Sequence, residues 1–240
     1  MQLIKKDSYP LILARAFALV ALIAVPLSTA GVNIAAGLFM LCALLSPEVW
    51  RNWRVLFTDR VSLAALLLFG GLAVSLAYTS ADHKHAVDFL MKYRKLLYLP
   101  FLILVFRDCR TTAWTTAAKW SMFGSLTLLL LLSCTNYAGW TSIGSWHSAE
   151  DPVRRAWVFK DHIAAGVLTA LLFYLSITLA RDARTPLAKV ALYVVALLAA
   201  INVLVMMQGR TGQVLVMLFI VIFVVSRLMA LRAMSRAMRW

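Results

Sequence analysis

The sequence predicts an all-α fold: a polytopic transmembrane helical bundle of about eight spans, with the N-terminus and the C-terminus both cytoplasmic. Of its 240 residues, 62% are hydrophobic and 14% are charged, whereas a soluble domain is about 45–50% apolar. The mean hydropathy is +0.83. These few charged residues cannot cover the surface of a soluble protein of this length. The composition therefore excludes a disordered chain and a small disulfide-stapled secreted domain.

The net charge of +14 is the second observation, because a strongly basic chain often binds nucleic acid. Here the cations lie between long apolar runs and do not cluster on one polar domain. That distribution favours membrane lipids as partners and argues against nucleic acid.

A helix crosses the hydrocarbon core of a bilayer with about 20 mostly apolar residues. Residues 61–79 and 190–209 meet this requirement without one charged residue. The 32 uncharged residues at 16–47 are too many for one ordinary span, and turn-forming residues such as Pro26 and Gly31 predict a tight hairpin in their middle. In the single transmembrane domain that we predict for 1–240, the spans are 9–28, 31–47, 61–79, 88–106, 114–134, 162–180, 190–209 and 212–231.

The orientation follows from the Lys and Arg residues, which are enriched in the short cytoplasmic loops of membrane proteins. With the N-terminus inside, fourteen of the 24 Lys and Arg residues fall on the cytoplasmic side and eight on the opposite side. If residues 9–47 were one span, every later loop would change sides and most of the fourteen would face out. The distribution therefore supports both the hairpin and the orientation.

The fourth span combines a short apolar stretch with several cations. Only ten residues run from Leu97 to Phe106, about 15 Å of helix, and Pro100 interrupts them. To cross a bilayer this span has to include Arg94 and Lys95, at roughly 2.5–3.5 kcal/mol for each deeply placed cation. Two interpretations stay open: a shallow helix end with solvated cations, or a wet cavity lined by cations.

Residues 135–161 form the longest predicted non-spanning segment, a periplasmic loop. Three acidic and three basic side chains make it neutral, and its tryptophans suit the lipid–water interface. The loop is therefore either an interfacial amphipathic segment or a surface on which Arg154, Arg155 and Lys160 face a phosphate.

The segment Gln208-Gly209-Arg210-Thr211-Gly212 separates two apolar helices at the outer face. Its two glycines allow tight turning and close backbone approach. Arg210 lies at a predicted helix start, where free backbone N–H groups favour anions, and an arginine fork can bind a phosphate through two hydrogen bonds. We therefore favour a phosphate clamp over an ordinary turn.

The histidines and cysteines do not form a metal-binding pattern. His147 and His162 are isolated in the sequence, and His83 with His85 supplies only two ligands. The three cysteines are scattered, without metal spacing or a suitable disulfide pair. We expect no metal and no cofactor.

Three segments resemble one known family. QGRTGQ at the start of a span, KYRKLLYLPFLIL in the fourth span and VFKDHIAAGVL at the entry to another are similar to the O-antigen ligase and polymerase superfamily of Gram-negative inner membranes. The similarity follows the chain from span to span, and GRTG is its most specific motif. Members are membrane glycosyltransferases. The ligases transfer a glycan from undecaprenyl diphosphate to a sugar of lipid A–core at the periplasmic face, without a metal.

The resemblance implies that Arg210, with Arg94, Lys95 and His162, faces the diphosphate. Such cations suit the reaction because they neutralise the charge of the leaving diphosphate. Together with the loop cations, the predicted diphosphate-binding residues are Arg210, Arg94, Lys95, His162, Arg154, Arg155 and Lys160.

The chain departs from the family pattern in its later part. Family members have more spans and carry the general base on a large periplasmic loop between later spans. This chain resembles the N-terminal part of such a protein, so we expect the base to lie beyond residue 240 and assign no catalytic residue within it.

The function implied is that of an O-antigen ligase of the bacterial inner membrane, a metal-independent glycosyltransferase with lipid A–core as acceptor. Alternatives are an O-antigen polymerase, which uses a second glycan as acceptor, and a transporter or flippase of lipid-linked sugars. A non-catalytic membrane scaffold is a further alternative.

Overall fold

A computed structural model describes residues 7–79, 82–107, 112–145, 151–207 and 209–237. Over these residues the regular structure is helical, and the only extended pairing is one isolated bridge between Ser145 and Val158. The prediction of an all-α fold is thereby confirmed for the described part of the chain.

The chain divides into two compact units; Pro26–Ser28 and the residues from Lys119 onward form the second. In the first unit the helices are α1 (Tyr9–Leu27), α2 (Thr29–Leu44), α3 (Pro47–Arg51), α4 (Val55–Thr58), α5 (Arg60–Ser75), α6 (His83–Tyr93) and α7 (Tyr98–Arg107). Helix α8 (Thr112–Tyr137) begins in the first unit and continues into the second, followed by α9 (Pro152–Arg155), α10 (His162–Asp182), α11 (Pro186–Ile201) and α12 (Arg210–Ala237).

Five helical segments are long and apolar enough to cross a membrane. They are Tyr9–Leu27, Ala113–Tyr137, His162–Asp182, Pro186–Met206 and Arg210–Met229. Two shorter apolar helices, α2 and α5, fall where spans are also predicted. The described chain therefore fits a helical membrane protein, while the count of eight spans and the side of each terminus stay predictions.

The structure divides the predicted fourth span, 88–106, into three pieces. Helix α6 ends at Tyr93, a 3₁₀ turn covers Arg94–Leu97, and α7 begins at Tyr98. Pro100 is the third residue of α7, where its missing N–H would have no helical partner in any case. The interruption therefore precedes Pro100, because its ring excludes the carbonyl four residues earlier from an α-helical position.

In the first unit, α1 buries an arginine against the end of α7. Arg15 is 2% exposed, its Nε donates to the Val105 carbonyl oxygen at 3.1 Å, and its Nη1 lies 2.5 Å from the Asp7 carboxylate. Carbonyls in the last turn of a helix lack helical donors. The guanidinium thus finds the partners that a buried charge requires.

In the second unit, four helices pack around an apolar core, and α10 contributes most to it. The cluster contains Leu126, Leu130, Ala170, Leu172, Phe173, Ala196, Ala199, Val203 and Val216. Small residues on α10 and α11 let the helices approach closely, as is common where apolar helices pack in membranes.

Candidate functional site

The start of α10 is capped by an acidic side chain and carries a histidine. The Asp161 Oδ1 accepts the Ala164 N–H at 2.7 Å, the usual role of an aspartate before a helix. His162 is the first residue of α10, and its ring packs against Trp157 in a tilted arrangement, with 4.9 Å between ring centroids. The imidazole is therefore held at a helix N-terminus.

The start of α12 meets the start of α10 through glycines. A Cβ at Gly209 would lie 3.0 Å from the His162 carbonyl oxygen, and a Cβ at Gly212 would lie 2.9 Å from three backbone atoms of Gly166. Only glycine allows backbones this close. Arg210 lies between the two glycines in sequence and is exposed. The structure thus brings the predicted residues His162 and Arg210 to two adjacent helix N-termini.

Arg155 lies against the turn that follows α8. The fully buried Asn136 holds this turn, because its Nδ2 donates to the Ile143 carbonyl oxygen at 2.9 Å. Gly139 has a φ of +79°, and a Cβ there would lie 3.1 Å from Arg155 Nη1. Within the described residues, the buried Nε of Arg155 has no hydrogen-bond partner. A buried donor without a partner is costly; since Arg155 as a whole is only half-buried, an anion would meet its accessible atoms and not this Nε.

The other two loop cations are placed differently. Arg154 is exposed and its Nε lies 3.8 Å from the Asp151 Oδ2, an exposed ion pair that contributes little to stability. Lys160 is half-buried and follows Phe159, whose φ of +56° is unusual for a side chain of that size. Both belong to the second unit, like Arg155.

Arg94 and Lys95 lie in the first unit, in the 3₁₀ turn between α6 and α7, and both are exposed. The five other predicted residues, His162, Arg210, Arg154, Arg155 and Lys160, belong to the second unit. That all seven bind one diphosphate stays a prediction.

Among the described residues, no group of three or more His, Cys, Asp or Glu side chains could hold a metal ion. The residues 146–150, with His147, lie outside the described part of the chain.

Comparison with known proteins gives no match. No protein-family model, no curated protein and no solved structure matches this chain. The likeness to O-antigen ligases therefore stays an inference from the three motifs.

Two buried asparagines in apolar surroundings, Asn136 and Asn202, were not singled out from the sequence. The signal that could have found them is an amide within an uncharged apolar run, since such a group must find hydrogen-bond partners inside the protein. The first holds the turn against which Arg155 packs. The second precedes the start of α12.

The arrangement can bind a polyanion. Two helix N-termini lie side by side, and helix N-termini attract anions through their free N–H groups and dipoles. The exposed guanidinium of Arg210 adds a fork suited to phosphate oxygens, which a lysine lacks. At the start of α10 the Asp161 carboxylate already accepts the Ala164 N–H, so Arg210 at the start of α12 is the group that we expect to attract the anion.

Proposed function

We propose that the second unit binds the diphosphate of a polyprenyl-linked glycan, and that the protein acts as an O-antigen ligase in lipopolysaccharide biosynthesis. The donor is a glycan on undecaprenyl diphosphate, and the acceptor is a sugar of lipid A–core at the periplasmic face of the bacterial inner membrane. The observation that carries the proposal is the meeting of the α10 and α12 N-termini at His162 and Gly209, next to the exposed Arg210.

In the proposed reaction, a hydroxyl oxygen of the acceptor sugar attacks the anomeric carbon of the donor glycan. A new glycosidic C–O bond forms, and the C–O bond to the diphosphate breaks. The hydroxyl proton goes to a general base, and the diphosphate departs with the bonding electrons. Arg210 and Arg155 stabilise the charge that develops on the departing oxygens, which is the role we assign to this chain's cations.

A direct test measures binding of undecaprenyl diphosphate to the purified protein in lipid nanodiscs. Hydrogen bonds to charged groups contribute about 1.5–3 kcal/mol, so Arg210→Ala should weaken binding about 10- to 150-fold. Arg227→Ala is the matched control, because Arg227 is an exposed arginine on the same helix, about 25 Å away. The proposal is wrong if neutral undecaprenol binds equally well, or if both variants behave alike.

A transfer assay in proteoliposomes distinguishes the ligase from its alternatives. With glycan-loaded undecaprenyl diphosphate and rough lipopolysaccharide, a ligase joins the glycan to lipid A–core. A polymerase instead lengthens the lipid-linked glycan and leaves lipid A–core unmodified.

A transporter or flippase of lipid-linked sugars is the second candidate. Interrupted helices are typical of transporters, and the 3₁₀ turn Arg94–Leu97 interrupts the predicted fourth span. A transporter moves the glycolipid between leaflets and forms no new bond. Movement of the glycolipid without transfer would favour this candidate over the ligase.

A further inference from the structure

The helix that leads toward Arg210 contains an irregular turn. After Ile201, α11 continues as a π-helix over Asn202–Met206, in which the Met207 N–H donates to the Asn202 carbonyl oxygen at 2.9 Å. Gln213, in the first turn of α12, donates from Nε2 to the Leu204 carbonyl oxygen at 3.3 Å. Single π-turns within helices are frequent at functional sites. This one ends at Met206, four residues before α12 begins at Arg210.

The side chain of Asn202 begins a relay of buried hydrogen bonds. Its Nδ2 donates to the Ser133 Oγ at 2.9 Å, and the Ser133 hydroxyl donates to the Ala156 carbonyl oxygen at 2.8 Å. Asn202, Ser133 and Ala156 are each 0% exposed. We call this chain of contacts the Asn202 relay.

The relay ends at the segment that carries the loop cations. Ala156 directly follows Arg155 and directly precedes Trp157, whose ring packs against His162. Asn202 is therefore linked through Ser133 to the segment of Arg155 and Trp157, and its carbonyl oxygen accepts from the N–H of Met207, three residues before Arg210.

Asparagine is not the residue type that would make position 202 most stable. The Asn202 Oδ1 is buried and has no hydrogen-bond partner within the described residues. The neighbouring Met206 sulfur, 3.3 Å from Nδ2, is only a weak acceptor. An apolar side chain of similar size would leave no unmet acceptor. Because the unpaired Oδ1 lowers stability, we explain the presence of Asn202 by the position that its hydrogen bonds give to the neighbouring segments and not by a contribution to stability.

We propose that Asn202 is a positioning residue that sets the spacing between Arg155 and Arg210, so that the two guanidinium groups bind the two phosphates of one diphosphate. The identity of the ligand rests on the proposed function. The positioning role itself does not, because it is argued from the hydrogen bonds that join Asn202 through Ser133 to Ala156 and from the π-turn that begins at Asn202.

The binding test uses Ser133→Ala, Asn202→Leu and the control Ser176→Ala, with undecaprenyl diphosphate and undecaprenyl monophosphate as probes. Ser176 is also 0% exposed, but its hydroxyl donates only within α10, to the Leu172 carbonyl oxygen at 2.7 Å. We expect Ser133→Ala and Asn202→Leu to weaken diphosphate binding about tenfold and monophosphate binding less than about twofold, since one phosphate needs only one cation. Ser176→Ala should change neither.

The two affinities together separate positioning from a general structural role. If both relay variants weaken the two probes equally, or if Ser176→Ala acts as they do, the relay only stabilises the fold and the proposal is wrong. In thermal unfolding, Ser133→Ala should lose more Tm than Ser176→Ala, because it removes a hydrogen-bond partner from both the Asn202 amide and the Ala156 carbonyl oxygen; the difference between the two probes, and not the Tm, therefore decides the role.

A second measurement needs no ligand. The three native cysteines are replaced by alanine, and the exposed residues Arg154 and Thr211 are replaced by cysteines that carry spin labels. Pulsed electron paramagnetic resonance then gives the distribution of distances between the two labels. We expect one narrow distribution that broadens or shifts in Asn202→Leu. An unchanged distribution overturns the positioning role. If the protein binds no undecaprenyl diphosphate but the distribution responds to Asn202→Leu, the proposed function fails and the positioning role stands.

Discussion

The contact between Gly166 on α10 and Gly212 on α12 predicts an asymmetric response to alanine. A Cβ at Gly212 would lie 2.9 Å from the Cα, C and O atoms of Gly166. A Cβ at Gly166 would lie 3.5 Å from the Gly212 Cα, an ordinary contact. The same substitution, made in the same interface, should therefore disrupt it from one side only.

The magnitude follows from the distances. Carbon atoms pack best at about 3.5–4.0 Å, so Gly212→Ala requires the two backbones to separate by roughly 0.6–1 Å. Backbone atoms cannot rotate aside as a flexible side chain can, and overpacking of this kind costs about 1–3 kcal/mol. Gly166→Ala gains the usual alanine preference in a helix, up to about 1 kcal/mol, without that clash.

The assay is thermal unfolding in detergent micelles, followed by undecaprenyl diphosphate binding in nanodiscs. Gly124→Ala is the control, since Gly124 lies in α8 with nothing within 4 Å of its Cβ position. We expect Gly212→Ala to lower the Tm and weaken binding, while Gly166→Ala and Gly124→Ala leave both unchanged or raise the Tm. Equal Tm values for the two interface variants would refute the close approach and its role in placing Arg210.

Two further predictions concern other parts of the chain. Burial would raise the pKa of Glu48, but hydrogen bonds from Ser8 and Ser46 outweigh burial and lower the pKa from 4.5 to about 2. The ionised carboxylate therefore stabilises the folded state above pH 4.5, and this stabilisation is lost as the pH falls toward 2. Over that range the Tm of the wild type should fall more steeply than the Tm of Glu48→Gln. Gly144 has a φ of +69°, and a Cβ there would lie 2.6 Å from the Phe159 ring. Gly144→Ala should lower the Tm, because alanine is strained at this φ and displaces the ring; an unchanged Tm would contradict the positive φ.

The long helices of the second unit could be predicted from the sequence because the length of an apolar run is a property of consecutive residues. The span predicted at 162–180 is observed as His162–Asp182, and it begins after Asp161, a residue type that favours the position before a helix. The span predicted at 190–209 is less regular than expected. It contains the π-helix Asn202–Met206. A π-turn accommodates one more residue than an α-helical turn, and the hydropathy of the segment is the same in both, so hydropathy does not predict it.

The site was predictable only in part, because its contacts join residues far apart in the chain. The glycines at 209 and 212 do provide the close backbone approach that the sequence predicts. The positive φ angles of a tight glycine turn occur instead at Gly139 and Gly144, among the described glycines. Which helix α12 approaches depends on packing, and no local pattern near Gly212 indicates Gly166 as its partner.

Two separate features determine where Arg210 lies, and they act by different physical means. The Gly212 contact limits how closely α12 packs on α10, and steric overlap rises steeply with small displacements. The Asn202 relay joins the π-turn to Ala156 through directional hydrogen bonds, whose strength depends on angle as well as distance. A guanidinium placed to bind a ligand needs both constraints, because close packing fixes where α12 lies against α10, and the hydrogen bond from Gln213 Nε2 to the Leu204 carbonyl oxygen ties the first turn of α12 to the π-turn. An arginine that only reached the lipid interface would need neither.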